Sequence, residues 1–145
     1  ELSLIKSGIY PDFFADEGKH EFSYIIFPHE GCSIKAVSLL AEQYNRRPEV
    51  FNGSINRELP KIKINSDAFK IYSLRKTDEK NTYLRIAEVL GTSGKITIVF
   101  QNINIKAVYL TNILQDIEKK LEIKENTVSF CFDPFKIFTL LIETA

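Results

Sequence analysis

Residues 83–100 read YLRIAEVLGTSGKITIVF, which are two apolar runs separated by a glycine turn. The second run alternates Ile96, Ile98 and Phe100 with smaller or more polar residues. This period of two residues is typical of a β-strand that buries one face. The turn Gly91-Thr92-Ser93-Gly94 favours a reversal of the chain. The segment therefore predicts two strands, each with one side in a core.

Similar short runs punctuated by turns recur along the chain. They predict further strands over residues 2–6, 20–26, 61–65, 68–74, 105–110, 128–132 and 135–141. About nine short strands at such spacing favour a β-sandwich. Each run presents one apolar parity, which fits two stacked sheets better than a parallel sheet covered by helices. The predicted fold class is all-β, an antiparallel β-sandwich with one helix.

One segment carries the period of a helix instead. Ser33 is a suitable N-cap, and a helix is predicted from residue 33 to about residue 45. Its apolar face is predicted to hold Ile34, Val37, Leu40, Ala41 and Tyr44, and its other side Lys35, Ser38, Glu42 and Gln43. This helix is expected to pack over an end or an edge of the sandwich.

Residues 115–125 are ambiguous because they are rich in charge. Leu121 and Ile123 alternate at the end of the segment, as in a strand, while a helix over residues 113–121 is the competing interpretation. Glu125-Asn126 is predicted to form a tight turn.

Composition sets limits on the function. The 145 residues are 44% hydrophobic, and 19 basic residues balance 19 acidic residues. One domain over residues 1–145 is expected. Zero net charge gives no support to a nucleic-acid partner or an anionic membrane surface. The chain begins at Glu1 and contains no methionine, so we expect a piece of a longer polypeptide.

The two cysteines, Cys32 and Cys131, follow neither a metal-binding spacing nor a disulfide framework. We interpret them as free thiols of a reducing compartment, which favours a cytoplasmic location.

A polar turn before the strand at His20 is the first candidate site. Asp16 could orient the imidazole of His20 for acid–base chemistry. Alternatively, the His20 ring enters the edge of the core and Asp16 satisfies its N–H. His20 and His29 fall on opposite parities at opposite ends of the predicted strand, so a shared metal ion is not expected.

Glu88 is the second unusual residue, because it shares the apolar parity of Leu84, Ile86 and Leu90. Either the strand ends early and Glu88 faces water, which is the interpretation we favour, or Glu88 is buried and paired. Arg85 cannot be that partner, since it points to the other face of the same strand.

Several motifs resemble one known family. Residues 15–24 read Ala-Asp-x-Gly-x-His-x-Phe-x-Tyr, and residues 28–31 read Pro-His-x-Gly. This order resembles the C-terminal β domain of the glycoside hydrolase family 38 α-mannosidases. Weaker marks follow in the expected order at residues 84–94, 111–114 and 133–140. Lys6-Ser7-Gly8 departs from the family's arginine followed by Ser-Pro, and Lys136 stands where glutamate is common.

The resemblance implies a domain without the family's chemistry. In the family, zinc and an aspartate nucleophile belong to the N-terminal catalytic domain, so no catalytic residue and no metal ligand is expected here. The expected partners are that catalytic domain in the same polypeptide and, through the complete enzyme, an α-mannoside. Candidates to face the sugar cleft are Asp16, Glu17, Gly18 and His20; Glu88 and Asn112 are structural candidates.

Two alternatives belong to other functional classes. An autonomous carbohydrate-binding module would need aromatic platforms, but the chain has no tryptophan and has eleven phenylalanines against six tyrosines. Phenylalanine lacks the polar edge that suits a half-wet site. A purely structural interaction domain is the second alternative.

Overall fold

The fold is that of a computed structural model, which describes residues 3–6, 8, 10–31, 34–46, 48–54, 56 and 58–144. The chain divides into two compact units, Glu1–Cys32 and Ser33–Ala145. The single domain expected over residues 1–145 stays a prediction. Leu2, Cys32 and Ser33, which take part in the predictions above, lie outside the described residues.

The first unit contains a turn at residues 13–16 but no strand among its described residues. The prediction of strands over residues 2–6 and 20–26 is therefore wrong for all residues in these two ranges that the structure describes. Alternating apolar side chains define a face, but a strand also requires a hydrogen-bonded neighbour. The described part of this unit provides none, and Phe22, Tyr24 and Ile26 remain exposed there.

The second unit is a sandwich of two antiparallel sheets. Its elements are α1 (Ile34–Asn45), β1 (Lys61–Ile64), β2 (Phe69–Lys76), β3 (Asn81–Glu88), β4 (Gly94–Gln101), β5 (Ile105–Thr111), β6 (Ile117–Leu121), β7 (Ile123–Lys124), β8 (Thr127–Phe132) and β9 (Ile137–Thr144). One sheet has the order β1-β4-β8-β7 and the other β2-β3-β9-β5-β6. This architecture confirms the predicted all-β sandwich with a single helix.

Side chains of one parity from each sheet form the core. Ile96 and Ile98 of β4 face Leu84, Ile86 and Leu140 of the five-stranded sheet, and all five are fully buried. Aromatic rings also join the two sheets: the ring centroids of Phe69 and Phe132 lie 4.8 Å apart in an edge-to-face arrangement. The alternation of apolar residues at every second position therefore predicts which side chains are buried.

Helix α1 packs against the edge strand β2, as expected, but Ser38 and Glu42 of the predicted outer side make contacts there. The Nζ of Lys70 donates to the carbonyl of Ser38 at 2.9 Å and pairs with Glu42 at 3.1 Å. Ile34 and Val37, predicted to face the sandwich, are about half exposed, at 50% and 43%. The correction has a physical reason: the edge of β2 presents Lys70, whose ammonium group is satisfied by polar groups of the helix.

Residues 113–125 contain two strands and not the competing helix. Ile117–Leu121 is β6, and Ile123–Lys124 is β7 in the other sheet. Glu125 and Asn126 both have positive φ, of 49° and 55°, in the two-residue turn between β7 and β8. This confirms the predicted tight turn, since two positive φ values match the twist of a short hairpin. The described part of the chain includes no helix with the length and apolarity to cross a membrane.

Candidate functional site

The Asp16–His20 loop is closed by backbone contacts. The N–H of Glu17 donates to the carbonyl of Phe14 at 3.1 Å. The Nε2 of His20 lies 2.6 Å from the backbone carbonyl oxygen of Asp16, so this nitrogen carries the proton and donates. Asp16 and Gly18 have φ of 59° and 127°, a backbone region that L side chains rarely adopt. The structure therefore brings Asp16 and His20 together in one tight loop.

The role predicted for the Asp16 carboxylate differs from the contact observed, because the backbone carbonyl and not the carboxylate accepts from His20. The His20 ring is exposed and stacks on Phe22, with centroids 6.0 Å apart, so its predicted entry into a core edge is wrong. One imidazole nitrogen, Nδ1, is not used by the contact with Asp16. The loop thus presents an imidazole to solvent in a fixed tautomer.

His29 lies apart from this loop and packs on Phe27, with ring centroids 5.6 Å apart. Within the described ranges, no three side chains of the His, Cys, Asp and Glu types come close enough to hold a metal ion. The described residues therefore do not fit the zinc ion of the family resemblance.

Glu88 lies at the centre of a network of hydrogen bonds in the sandwich. Its side chain is buried, with 2% of its surface exposed. Five groups donate to its carboxylate: the N–H of Leu90 at 2.9 Å, Gly91 at 2.9 Å, Thr92 at 3.0 Å and Phe135 at 2.8 Å, and the hydroxyl of Thr92 at 2.9 Å. The favoured interpretation, a strand end with Glu88 in water, is therefore wrong.

These contacts keep the Glu88 carboxylate ionised. Burial by itself would raise its pKa, because desolvation penalises a charge. The donors from Phe135 and Thr92, followed by the N–H of Leu90, outweigh that effect and lower the pKa of Glu88 from 4.5 to about 2. N–H dipoles balance the negative charge, and no cation in the described ranges pairs with Glu88. Sequence reasoning therefore found no partner for it.

The Glu88 network fixes an unusual conformation at Phe135. This residue has φ of 56°, which is a real outlier for a bulky side chain. Its ring lies over Gly91, where an added Cβ would be 2.7 Å from the Cζ of Phe135. The ring is nevertheless 70% exposed. Glu88 therefore holds a strained turn that presents a phenyl ring to solvent.

Asn112, the other structural candidate, closes the loop between β5 and β6. Its Nδ2 donates to the Asp116 carboxylate at 2.9 Å, and the N–H of Asp116 donates back to its Oδ1 at 2.9 Å. The backbone N–H of Asn112 also donates to the carbonyl of Asp116 at 3.0 Å. This reciprocal pairing sets the direction in which β6 returns along the sheet.

Several grooves lie on the sandwich, and two of them are lined in part by Ile62 and Ile71. A groove of about 330 Å³ runs between α1 and β2, and its charged residues Lys35, Glu42, Asp67 and Lys70 pair with one another. A second groove, of about 500 Å³, opens between the two sheets. Ile71 and Leu74, whose strand partners are core residues, line this groove and remain 38% and 58% exposed.

Comparison with known proteins identifies the family. The family described as "Glycosyl hydrolases family 38 C-terminal beta sandwich domain" matches residues 63–140, which is more than half of the chain. The chain belongs to this family. The match starts within β1 and ends within β9, so it covers the two sheets and the Glu88 network.

The curated relatives of this family 38 sandwich are much longer proteins. Alpha-mannosidase G of Dictyostelium discoideum is 25% identical over 95% of this chain, which corresponds to 14% of that protein. Alpha-mannosidase of Saccharomyces cerevisiae is 32% identical over 62% of this chain and 10% of its own length. Alpha-mannosidase 2C1 of Mus musculus is 23% identical over 97% of this chain and 14% of its own length. For the two relatives that match nearly all of this chain, the matched region is thus about a seventh of the relative's own length.

Sequence reasoning missed the link between Glu88 and Phe135 in this family 38 domain. Both residues belong to motifs on which the resemblance rests, but 47 positions separate them. The signal available in the sequence was Glu88 itself, an acidic residue on the apolar side of a strand. A buried carboxylate is stable only where its oxygens accept hydrogen bonds.

Proposed function

We propose that this chain is the C-terminal accessory domain of a family 38 α-mannosidase, and that it packs on the catalytic domain of the same polypeptide. The observation that carries the proposal is a family 38 sandwich with extensive exposed apolar surface and no metal cluster among its described residues. The names of the relatives support α-mannosides as the substrate of the complete enzyme. The domain by itself is not expected to hydrolyse glycosides.

Exposed apolar residues support the packing part of this proposal. Large apolar side chains that are at least half exposed include Phe13, Phe14, Leu114 and Phe135. Within the first unit, the neighbouring residues Phe13 and Phe14 are both exposed, and adjoining exposed apolar side chains are typical of an interaction site. An accessory domain covers such surface when it joins its catalytic partner.

The Asp16–His20 loop is proposed to help shape the sugar cleft of the complete enzyme. Its support is the exposed imidazole, whose tautomer is set by the Asp16 carbonyl, at the end of a turn with two positive φ values. Rigid polar loops are common where a scaffold meets a ligand. Glu17 and Gly18 belong to the same turn and are included in this proposal.

Zinc is proposed to reside in the catalytic domain and not in this chain, and the complete enzyme is proposed to be cytoplasmic. The exposed free thiol of Cys131 supports a reducing compartment, while Cys32 lies outside the described residues. Removal of zinc by a chelator should abolish activity of the complete enzyme. The unfolding midpoint of the 145-residue chain should not change under the same treatment.

The proposed function is tested by deletion in the complete polypeptide. We expect loss of residues 1–145 to abolish hydrolysis of a chromogenic α-mannoside and to lower the thermal midpoint of the remainder. Normal activity and an unchanged midpoint after deletion would contradict the accessory role. Titration of α-mannobiose into the isolated chain, followed by backbone amide shifts, tests the alternative of a carbohydrate-binding module. Saturable, localised shifts would favour that alternative.

A further inference from the structure

We propose that the outer face of the five-stranded sheet docks on the catalytic domain, and that a carboxylate of that domain pairs with Arg85. The outer face is the side of this sheet that points away from the core, centred on Tyr83, Arg85, Tyr109, Thr139 and Leu141. The inference rests on the proposed function and adds to it the contact surface and the charge of the partner.

The strand register assembles two rows of side chains across this outer face. In the first row Arg75, Tyr83, Leu141, Tyr109 and Lys120 are successive cross-strand partners. Leu141 is only 8% exposed, and its cross-strand partners Tyr83 and Tyr109 are half-buried. Large aromatic side chains around an aliphatic centre are the residues that typically dominate protein interfaces.

Arg85 lies in the second row, on β3. Its cross-strand neighbours are Ser73 and Thr139. The Nε of Arg85 donates to the hydroxyl of Thr139 at 3.2 Å, and an Nη donates to the carbonyl of Ile113 at 3.5 Å. No carboxylate among the described residues forms an ion pair with it.

Arg85 is partly buried, but the nitrogen of its guanidinium group that no described residue contacts remains accessible to solvent. The group has five N–H donors, and the described contacts use two of them. Partial burial weakens hydration without supplying a counterion. A carboxylate from a docked surface could accept two parallel hydrogen bonds from the remaining donors.

An exposed apolar rim adjoins Arg85 at one end of the outer face. Ile113 is 68% exposed, and Ile117 and Ile137 are each 57% exposed. Ile117 and Thr139 are both cross-strand partners of Thr111, while Ile137 is the partner of Ala87, two residues beyond Arg85. The rim therefore continues the outer face towards the turn that contains Phe135.

Phe135 provides a preorganised anchor at this rim. The Glu88 network and the contact with Gly91 hold its ring in place although the ring is 70% exposed. An aromatic side chain that is fixed before binding loses less conformational entropy when it is buried. The free-energy cost of the positive φ at Phe135 is then offset by the contact that its ring makes with the catalytic domain.

The catalytic domain fits this surface better than a second copy of the sandwich. The two rows contain the cations Arg75, Arg85 and Lys120 and no carboxylate. In a two-fold contact centred on these two rows, each cation could meet only another cation of the same rows in the copy, which is unfavourable. The relatives, in contrast, contain about six times as much polypeptide outside the matched region as within it.

The test uses the complete α-mannosidase polypeptide with a photoreactive phenylalanine analogue at position 135. A matched control carries the analogue at Lys95, which lies on the outer side of the other sheet. We expect position 135 to cross-link to peptides of the catalytic domain and position 95 not to do so. Cross-links from position 95 alone would overturn this inference and leave the proposed function intact. Cross-links from neither position would also overturn this inference, whereas the deletion of residues 1–145 decides the proposed function.

Substitutions provide a second readout. Ile117→Glu should raise the rate of proteolytic separation of the two domains by about tenfold, whereas Lys95→Glu should not change it. Arg85→Ala should act like Ile117→Glu, with partial recovery in Arg85→Lys because a single cation can still meet a carboxylate. Unchanged rates for both Ile117→Glu and Arg85→Ala would overturn the inference. Amide shifts at Tyr83 and Tyr109 on addition of α-mannobiose would indicate that the outer face binds sugar. This result would also overturn the inference.

Discussion

The carboxylate of Glu88 accepts the N–H of Phe135 at 2.8 Å and thereby joins the end of β3 to the turn before β9. The same carboxylate also fixes the loop that leads to β4. One buried side chain thus sets the paths of two connections at one end of the sandwich. Its removal should affect both connections together.

Replacement of Glu88 by Gln should destabilise the sandwich by about 1–3 kcal/mol, since a neutral amide has one acceptor oxygen for five donors. Urea unfolding near pH 7 measures this change. The control is Glu118→Gln, because Glu118 is exposed on β6 and its replacement should stay within about 0.5 kcal/mol. Equal midpoints for the two variants would contradict the structural role of Glu88.

The contribution of Glu88 should depend on pH in a defined direction. Its pKa is lowered from 4.5 to about 2 by the fold, so the unfolded chain binds a proton at higher pH than the folded chain does. The stabilisation is complete above pH 4.5, decreases as the pH falls towards 2, and is absent below that value. The difference in unfolding free energy between wild type and Glu88→Gln should narrow over this window. A difference that is constant from pH 6 to pH 2 would refute the assignment.

Gly91→Ala should destabilise the fold by about 1–3 kcal/mol, because φ is 74° and the new methyl group would meet the Phe135 ring. The combination with Phe135→Ala should cost less than the sum of the two single changes, since the steric conflict is removed. Gly53→Ala is the matched control, because no atom lies within 4 Å of its added Cβ. Thermal unfolding of the four variants measures the coupling, and strict additivity would exclude the contact.

Helix α1 should exchange its amide hydrogens faster than strands β3, β4 and β9. The helix has no buried residue and is held to β2 through Lys70 and other polar contacts. Elements with few buried apolar contacts open at low local free energy. Lys70→Met should accelerate exchange in α1 alone, whereas Lys63→Met on β1 should not. Protection of α1 equal to that of β4 would contradict this description.

In the complete enzyme, His20→Ala should reduce activity or thermal stability because it removes the contact that closes the loop. Asp16→Ala should do the same because it places alanine at a φ of 59°. His29→Ala is the matched control, since its ring packs on Phe27 outside this loop. Steady-state hydrolysis of an α-mannoside and thermal unfolding provide the two readouts. Wild-type activity and thermal stability in both Asp16→Ala and His20→Ala would contradict the proposed role of the loop.

Local patterns in the sequence predicted much of the sandwich. The alternation of Ile96, Ile98 and Phe100 placed β4 and its buried face, and Glu125-Asn126 placed a hairpin turn. These features depend on residues that are close in sequence. Strand β6 was ambiguous because Glu118, Lys119 and Lys120 all face water, so its residues carry no alternation.

Features that depend on distant contacts could not be predicted. The orientation of α1 follows from Lys70, which lies 32 positions after Ser38. The environment of Glu88 depends on Phe135, and the tautomer of His20 depends on a backbone carbonyl. The candidate loop was found from its motif, but its contacts required coordinates.

The four outermost strands of the sandwich should also protect the protein against aggregation. Unpaired strand edges are templates for intermolecular pairing and amyloid growth. Here β1 has four residues and β7 has two, β2 carries an irregularity between Ile71 and Ser73 beside α1, and β6 is rich in lysine. After its synthesis, this domain could therefore remain undocked from its large partner for some time with little risk of forming fibrils.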